Sequence, residues 1–91
     1  MSETETAAAE RRVRVAYRDH GFDLTATYWG QPIWGWLPDI VELDARGRVV
    51  PESGAEQLIQ SVGDAGFRTP YDCLAAAARA LLEALDAADG A

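Results

Sequence analysis

The chain contains no lysine, one histidine and one cysteine, and each scarcity removes a class of chemistry. A lone Cys73 excludes an internal disulfide framework and fits a reducing compartment. With His20 as the only imidazole, a zinc site would rest largely on carboxylates, so no structural metal is expected. There is no G-x-x-x-x-G-K, no G-x-G-x-x-G, no H-E-x-x-H and no paired-cysteine spacing, so neither a cofactor nor a known catalytic motif is expected. No apolar run approaches the roughly 20 residues that cross a bilayer. The opening MSETETAAAERR lacks the apolar core of a secretory signal. These absences lead us to expect a soluble protein of the bacterial host cytoplasm that binds no membrane. Arginine as the only basic side chain besides His20, together with abundant alanine, points to a high-GC bacterial or phage genome.

Positive charge is also scarce. Eight arginines face fifteen acids, for a net charge of −7. Phosphate backbones and anionic lipids require a cationic surface, so direct nucleic-acid binding is disfavoured. The imbalance is uneven. Residues 1–18 hold four Arg and three Glu, whereas residues 19–91 hold four Arg and twelve acids, so any basic function must sit on the first strand.

Length limits the chain to one domain, with a small margin of stability. Residues 1–10 read as a disordered polar tail and 11–89 as a single α+β domain. From Arg11 the pattern has period two, with Val13, Val15 and Tyr17 alternating with Arg12, Arg14, Ala16 and Arg18, as in a half-buried strand. Asp19-His20-Gly21 supplies turn chemistry, and Phe22, Leu24, Ala26 and Tyr28 alternate with Asp23, Thr25 and Thr27, which predicts a hairpin. After a Gly30-Gln31-Pro32 turn, Ile33–Leu37 and Ile40–Leu43 read as a strand bent or bulged at Pro38-Asp39, and Val49-Val50 as a short edge pairing. Ser53-x-x-Glu56 has the spacing of a capping box ahead of Ala55, Leu58, Ile59 and Val62. Thr69-Pro70 starts a last helix, with Leu74, Ala77, Ala78, Leu81, Leu82 and Leu85 on its buried face. The sum is a three- or four-stranded antiparallel sheet followed by two helices packed on one face.

All three tryptophans fall between Trp29 and Trp36, in YWGQPIWGWLP. An indole buries about 150–250 Å², worth roughly 4–6 kcal/mol at about 25 cal/mol per Å². A domain stable by about 5–15 kcal/mol is therefore expected to place one or two of them in its core. Trp34 and Trp36 share a face of a regular strand while Ile33 and Leu37 take the other, so this strand is apolar on both sides. A two-layer fold covers only one. Either the chain bends near Gly35, or an apolar patch awaits a partner.

Several candidate surfaces follow. His20 with Cys73 could in principle act as base and thiol, but a turn residue and a helix residue with no third orienting group are not expected to do so. Cys73 near a helix N-terminus would have a somewhat acidified thiol, although a buried free cysteine is commonly inert. Arg12, Arg14 and Arg18 share a strand face. With the tryptophans they could stack and neutralise single-stranded nucleic acid, or they could pair across strands with Asp23, Glu42 or Asp44. Asp72, Glu83, Asp86 and Asp89, with Glu56 and Asp64, make an acidic helical half that could dock on a basic groove or merely keep the chain soluble. The favoured partner-binding set is Trp34, Trp36, Asp39, Glu42, Asp44, Asp72, Glu83 and Asp86. It describes a non-enzymatic protein that contacts a protein complex with a basic surface, and an exposed tryptophan patch could equally seal a homodimer.

Two resemblances bear on this reading. The acidic chain has a tryptophan-bearing meander and a helix opening Gly66-Phe67-x-Thr69-Pro70-x-Asp72-x-Leu74-x-Ala76-Ala77. In these it resembles small phage and mobile-element proteins such as anti-CRISPR proteins. That resemblance implies inhibition of a bacterial nucleic-acid-handling complex, a Cas effector for example, by occupying its DNA- or RNA-binding groove. Trp34-Gly35-Trp36-Leu37-Pro38-Asp39-Ile40 is similar to the aromatic strand of the HicB antitoxins, and Gly54–Leu58 falls where that family's next helix begins. This second likeness also implies an inhibitor of a basic partner.

Overall fold

The structure is a computed structural model that describes residues 10–17, 19–63 and 65–90, with the side chains of 89 and 90 excepted. The expected tail over residues 1–9, Arg18, Asp64 and the Asp89 side chain lie outside the described residues. Three strands, β1 (Glu10–Tyr17), β2 (His20–Trp29) and β3 (Gly35–Leu43), form an antiparallel meander in the order β1-β2-β3. A 3-10 helix (Ala55–Val62) and a long helix α1 (Pro70–Gly90) follow, giving the expected α+β class. Glu10, assigned from the sequence to the tail, already pairs with Thr27.

Period-two alternation decides the faces. Phe22, Leu24 and Ala26 of β2 turn toward the helices and are buried. They are flanked by Val15 and Val13 on β1 and by Ile40 on β3 through direct cross-strand register. On α1, Cys73, Ala77, Leu81 and Leu85 recur every four residues and are buried, so one stripe of the helix covers the sheet. Alanine at position 77, fully buried, allows the helix axis to come close there. The stripe is rotated from the expected one: Cys73 lies inside, and Leu82 is 38% exposed near the β1 edge. Sequence spacing alone could not separate positions 81 and 82, because either fits an apolar stripe of this width.

β3 runs unbroken through Pro38-Asp39, where a bend was expected. The register explains why. Trp36 exchanges hydrogen bonds with Phe67 on the outer side of β3, and the Glu42 carbonyl accepts from the Val50 N–H there. Bonding direction alternates along an antiparallel strand, so Pro38, of the same parity, is a residue whose N–H would point outward rather than to β2. Its missing donor costs the sheet nothing. The expected Val49-Val50 pairing forms as a bridge between Leu43 and Val49.

The first helix differs from expectation. Gly54, with φ +76°, occupies its N-cap without a side-chain cap, so the Ser53-x-x-Glu56 spacing does not make a capping box. Ser53 Oγ instead accepts from the Ala55 N–H at 3.2 Å. The left-handed glycine turns the chain one residue later than the serine would, and the helix winds as 3-10 with non-helical backbone at Ile59 (φ −112°). Ala55 and Ile59 still bury against the core cluster. At α1 the expected cap is present: Thr69 Oγ1 accepts from the Asp72 N–H at 3.0 Å, with Pro70 next in sequence.

The end of the β2–β3 hairpin is clamped by two glycines. A Cβ added at Gly35 would lie 2.6 Å from the Gly66 Cα, and one at Gly66 would lie 2.7 Å from the Gly35 Cα. Two backbones cross here at a distance that no side chain allows, beside the Trp36–Phe67 bridge. Gly35→Ala should therefore force the strands apart. It should lower unfolding stability by about 1–3 kcal/mol in urea titration, whereas Gly30→Ala, at a site with open space around it, should cost far less.

Candidate functional site: an exposed aromatic hairpin end

Gly30 to Trp34 make a tight turn in which the Gly30 carbonyl accepts from both the Ile33 and Trp34 N–H groups at 2.8 Å. The Gln31–Pro32 peptide bond is cis. Trp34 has φ +52°, a left-handed conformation that is an outlier for a bulky side chain. It leaves the strand plane before β3 begins at Gly35. Trp34 therefore lies outside the strand to which Trp36 belongs, and strand alternation does not put the two indoles on one face.

None of the three tryptophans is part of the buried core, against the expectation that one or two would be. The helices cover the middle of the sheet, over Phe22, Leu24 and Ile40, whereas the indoles sit at the hairpin end, where the Gly66-Phe67 segment pairs with Trp36. Trp36 is half-buried and makes an edge-to-face contact with Tyr28, ring centroids 5.6 Å apart. Trp34 is 67% exposed and Trp29 53% exposed, with Tyr28 beside them also exposed. Trp29 was missed as a site residue. Its signal was available, since the alternation that buries Phe22, Leu24 and Ala26 sets odd-numbered residues of β2 on the other face.

The acids expected to act together are spread over the molecule. Asp72, in the first turn of α1, lies toward the aromatic end because Phe67, five residues before it, pairs with Trp36. Asp39, opposite Thr25, is exposed, and its Oδ1 accepts from the Ile40 N–H. The remaining four are at the other end. Asp44 Oδ1 accepts from the Arg46 and Arg48 N–H groups at 2.8 and 2.9 Å and so shapes the turn after β3. Glu42, of intermediate burial, faces Phe22. Glu83 pairs with Arg79 at 3.3 Å, and Asp86 accepts from the Tyr17 hydroxyl at 3.0 Å. Asp72 and Asp86 are fourteen positions apart on the helix, about 21 Å at the α-helical rise, so one compact patch does not contain both.

Arg12 and Arg14 of β1 lie on the uncovered face of the sheet, and the cross-strand reading of Arg14 holds. Its guanidinium grips Asp23, opposite it in register, with Nε–Oδ1 2.9 Å and Nη2–Oδ2 3.3 Å. Asp23 is almost fully buried. The hydrogen bond from Arg14 outweighs desolvation and holds the Asp23 carboxyl below its ordinary range, while Asp23 raises Arg14. Arg12 lies 3.5 Å from Glu10. Asp23, Thr25, Thr27, Asp39 and Val41 line a shallow cleft of about 340 Å³ on this face.

His20 stacks on Phe22, ring centroids 6.1 Å apart. Cys73 is fully buried under the helix stripe, and burial pushes its thiol up to about 11. The expected acidified thiol is thereby overturned: desolvation outweighs the helix N-terminus. Among the described residues no three His, Cys, Asp or Glu side chains cluster in a geometry for a metal ion, and no helix is long and apolar enough to cross a membrane.

Two outcomes follow. Because Asp23 is depressed in the folded state, its contribution is fully present above the ordinary aspartate pKa of about 3.9 and is lost as pH falls through the lower folded value. Chemical denaturation of Asp23→Asn at pH 7 and pH 3 should show a smaller loss of stability on acidification than the parent. Native Cys73 should resist Ellman's reagent at pH 8 and become reactive only as denaturant unfolds the chain. No family model, curated protein or solved structure matches this chain.

Proposed function

We propose that this protein is a non-catalytic binding module that docks on a partner protein through the aromatic end of its β2–β3 hairpin. The observation that carries the reading is the pair of outward indoles, Trp29 and Trp34, on a turn braced by the Gly30 carbonyl and the Gly35–Gly66 crossing. Tryptophan and tyrosine dominate binding hot spots because each buries a large rigid surface at little entropic cost. A small domain that leaves two indoles in water forgoes folding stability that burial would have supplied.

Trp34 adds a second cost, since left-handed backbone disfavours a bulky residue by about 1–2 kcal/mol. Strained, exposed positions of this kind concentrate at functional sites. Tyr71, 73% exposed, and Asp72 open α1 toward the same end. The surface offered is therefore aromatic with an acidic margin, on a chain of net charge −7. A complementary partner would have an apolar pocket rimmed by basic side chains. Grooves that handle nucleic acid are basic, and inhibition of such a complex, in the manner of an anti-CRISPR protein, is the specific form we propose.

The test is co-purification of the tagged protein with Cas effector complexes, together with competition against their DNA binding. The parent should bind and compete. Trp29→Ala combined with Trp34→Ala should lose at least tenfold in affinity, in the range of hot-spot truncations, while unfolding stability changes by less than about 1 kcal/mol. Trp34→Gly, which relieves the backbone, should also fold normally and bind weakly. Absence of any interaction, with DNA binding unaffected, would sink the anti-CRISPR form. An unchanged affinity in the double variant would remove the aromatic end as the docking surface.

A further inference from the structure

A second surface lies along the β1 edge, on the opposite side of the sheet from β3. Bonding direction alternates strand by strand. Trp36 and Glu42 bond outward from β3, so the odd-numbered residues of β3 bond to β2 and the even-numbered residues of β2 bond to β1. In β1 this turns Arg11, Val13, Val15 and Tyr17 toward β2. The backbone N–H and C=O groups of Arg12, Arg14 and Ala16 therefore point away from the sheet. The register through β1 is continuous, without bulge or proline. By contrast, the outer edge of β3 is bridged near both ends, at Phe67 and Val49. Among the described residues nothing pairs with this edge, and an open, regular edge is a template for another strand.

The two sides of this edge differ chemically. On the uncovered face stand Arg12 and Arg14, each with its side chain 63% exposed. On the helix-covered face Val13 is 41% exposed and Leu82 of α1 is 38% exposed, so apolar surface continues past the last strand. An open cleft of about 440 Å³ beside it is lined by Ala16, Tyr17, Leu82, Glu83 and Asp86.

We propose that β1 accepts an extended segment of another protein as a fourth strand, and that this segment alternates acidic and apolar residues. Side chains of a strand alternate between faces. Every second residue of the segment would meet Arg12 and Arg14, and the residues between would meet Val13 and Leu82. A second copy of this chain is a poor occupant. Paired antiparallel with the helices on one side, registers centred on Arg12, Val13 or Arg14 set arginine against arginine, and like charges directly opposite destabilise a sheet. Turned over, a copy can offer the same edge only as a parallel strand, a pairing slightly less stable per residue.

The probe is a capped heptapeptide alternating valine and glutamate, titrated into the ¹⁵N-labelled full chain. Saturable shifts are expected at Glu10–Tyr17 and Leu82, weakening with added salt, and none with the valine–lysine analogue. Arg12→Glu should weaken binding about 3- to 30-fold, as an attractive cross-strand pair becomes repulsive. Ala16→Pro, which removes an outward N–H and spares the bonds to β2, should weaken it as well. Trp29→Ala with Trp34→Ala should leave it unchanged, which separates this edge from the hairpin end. Equal binding of the lysine peptide, or no saturable shift on β1, would overturn the proposal. So would sedimentation showing that the chain alone is a dimer with its β1 amides protected from exchange.

Discussion

The crossing of Gly35 over Gly66 is the constraint on which the rest of the arrangement depends. Two backbones meet with no room for a side chain, which allows Phe67 to bridge to Trp36 and fixes where the chain enters α1. From that entry point the helix runs back across the sheet, and its four-residue stripe from Cys73 to Leu85 settles over Phe22, Leu24 and Ile40. The face of the sheet that becomes core, and the end that stays open, are consequences of this one close approach.

Charge is used differently from what composition suggests. Several acids are engaged within the fold: Asp44 in the turn after β3, Asp86 at the Tyr17 hydroxyl, Asp23 under the Arg14 guanidinium. The Arg14–Asp23 pair joins an exposed cation to an almost buried carboxylate. A bidentate hydrogen-bonded geometry of this kind stabilises more than an ordinary surface pair does. The acidity left over spreads over both ends of the molecule, so the surface that stands out is aromatic. It lies where the hairpin extends past the helices.

Much of the architecture was legible in the chain. Alternation in Arg11–Tyr17 and Phe22–Tyr28 identified a hairpin, and Thr69-Pro70 marked the start of α1, because these signals depend on neighbouring residues alone. The Ser53-x-x-Glu56 spacing misled, because the cap position was taken by Gly54 in a left-handed conformation. The continuous β3 was also hidden. Proline reads as a break in sequence, and only pairing geometry shows that Pro38 faces an edge where no donor is needed. Trp36 was legible as aromatic surface but not as a partly buried partner of Tyr28, and the exposure of Trp29 went unread.

By itself, then, the sequence determined the strands, the start of α1, the α+β class and the conflict of an apolar strand with two apolar faces. All of these follow from local propensity, periodicity and capping. Tertiary structure alone decided how that conflict is resolved. Trp34 takes a left-handed turn out of the strand, Trp36 packs on Tyr28, and Trp29 and Trp34 face solvent. The reason is that the covered area of a sheet is set by where a helix lands on it, and here that depends on contact between Gly35 and Gly66, thirty-one residues apart in the chain.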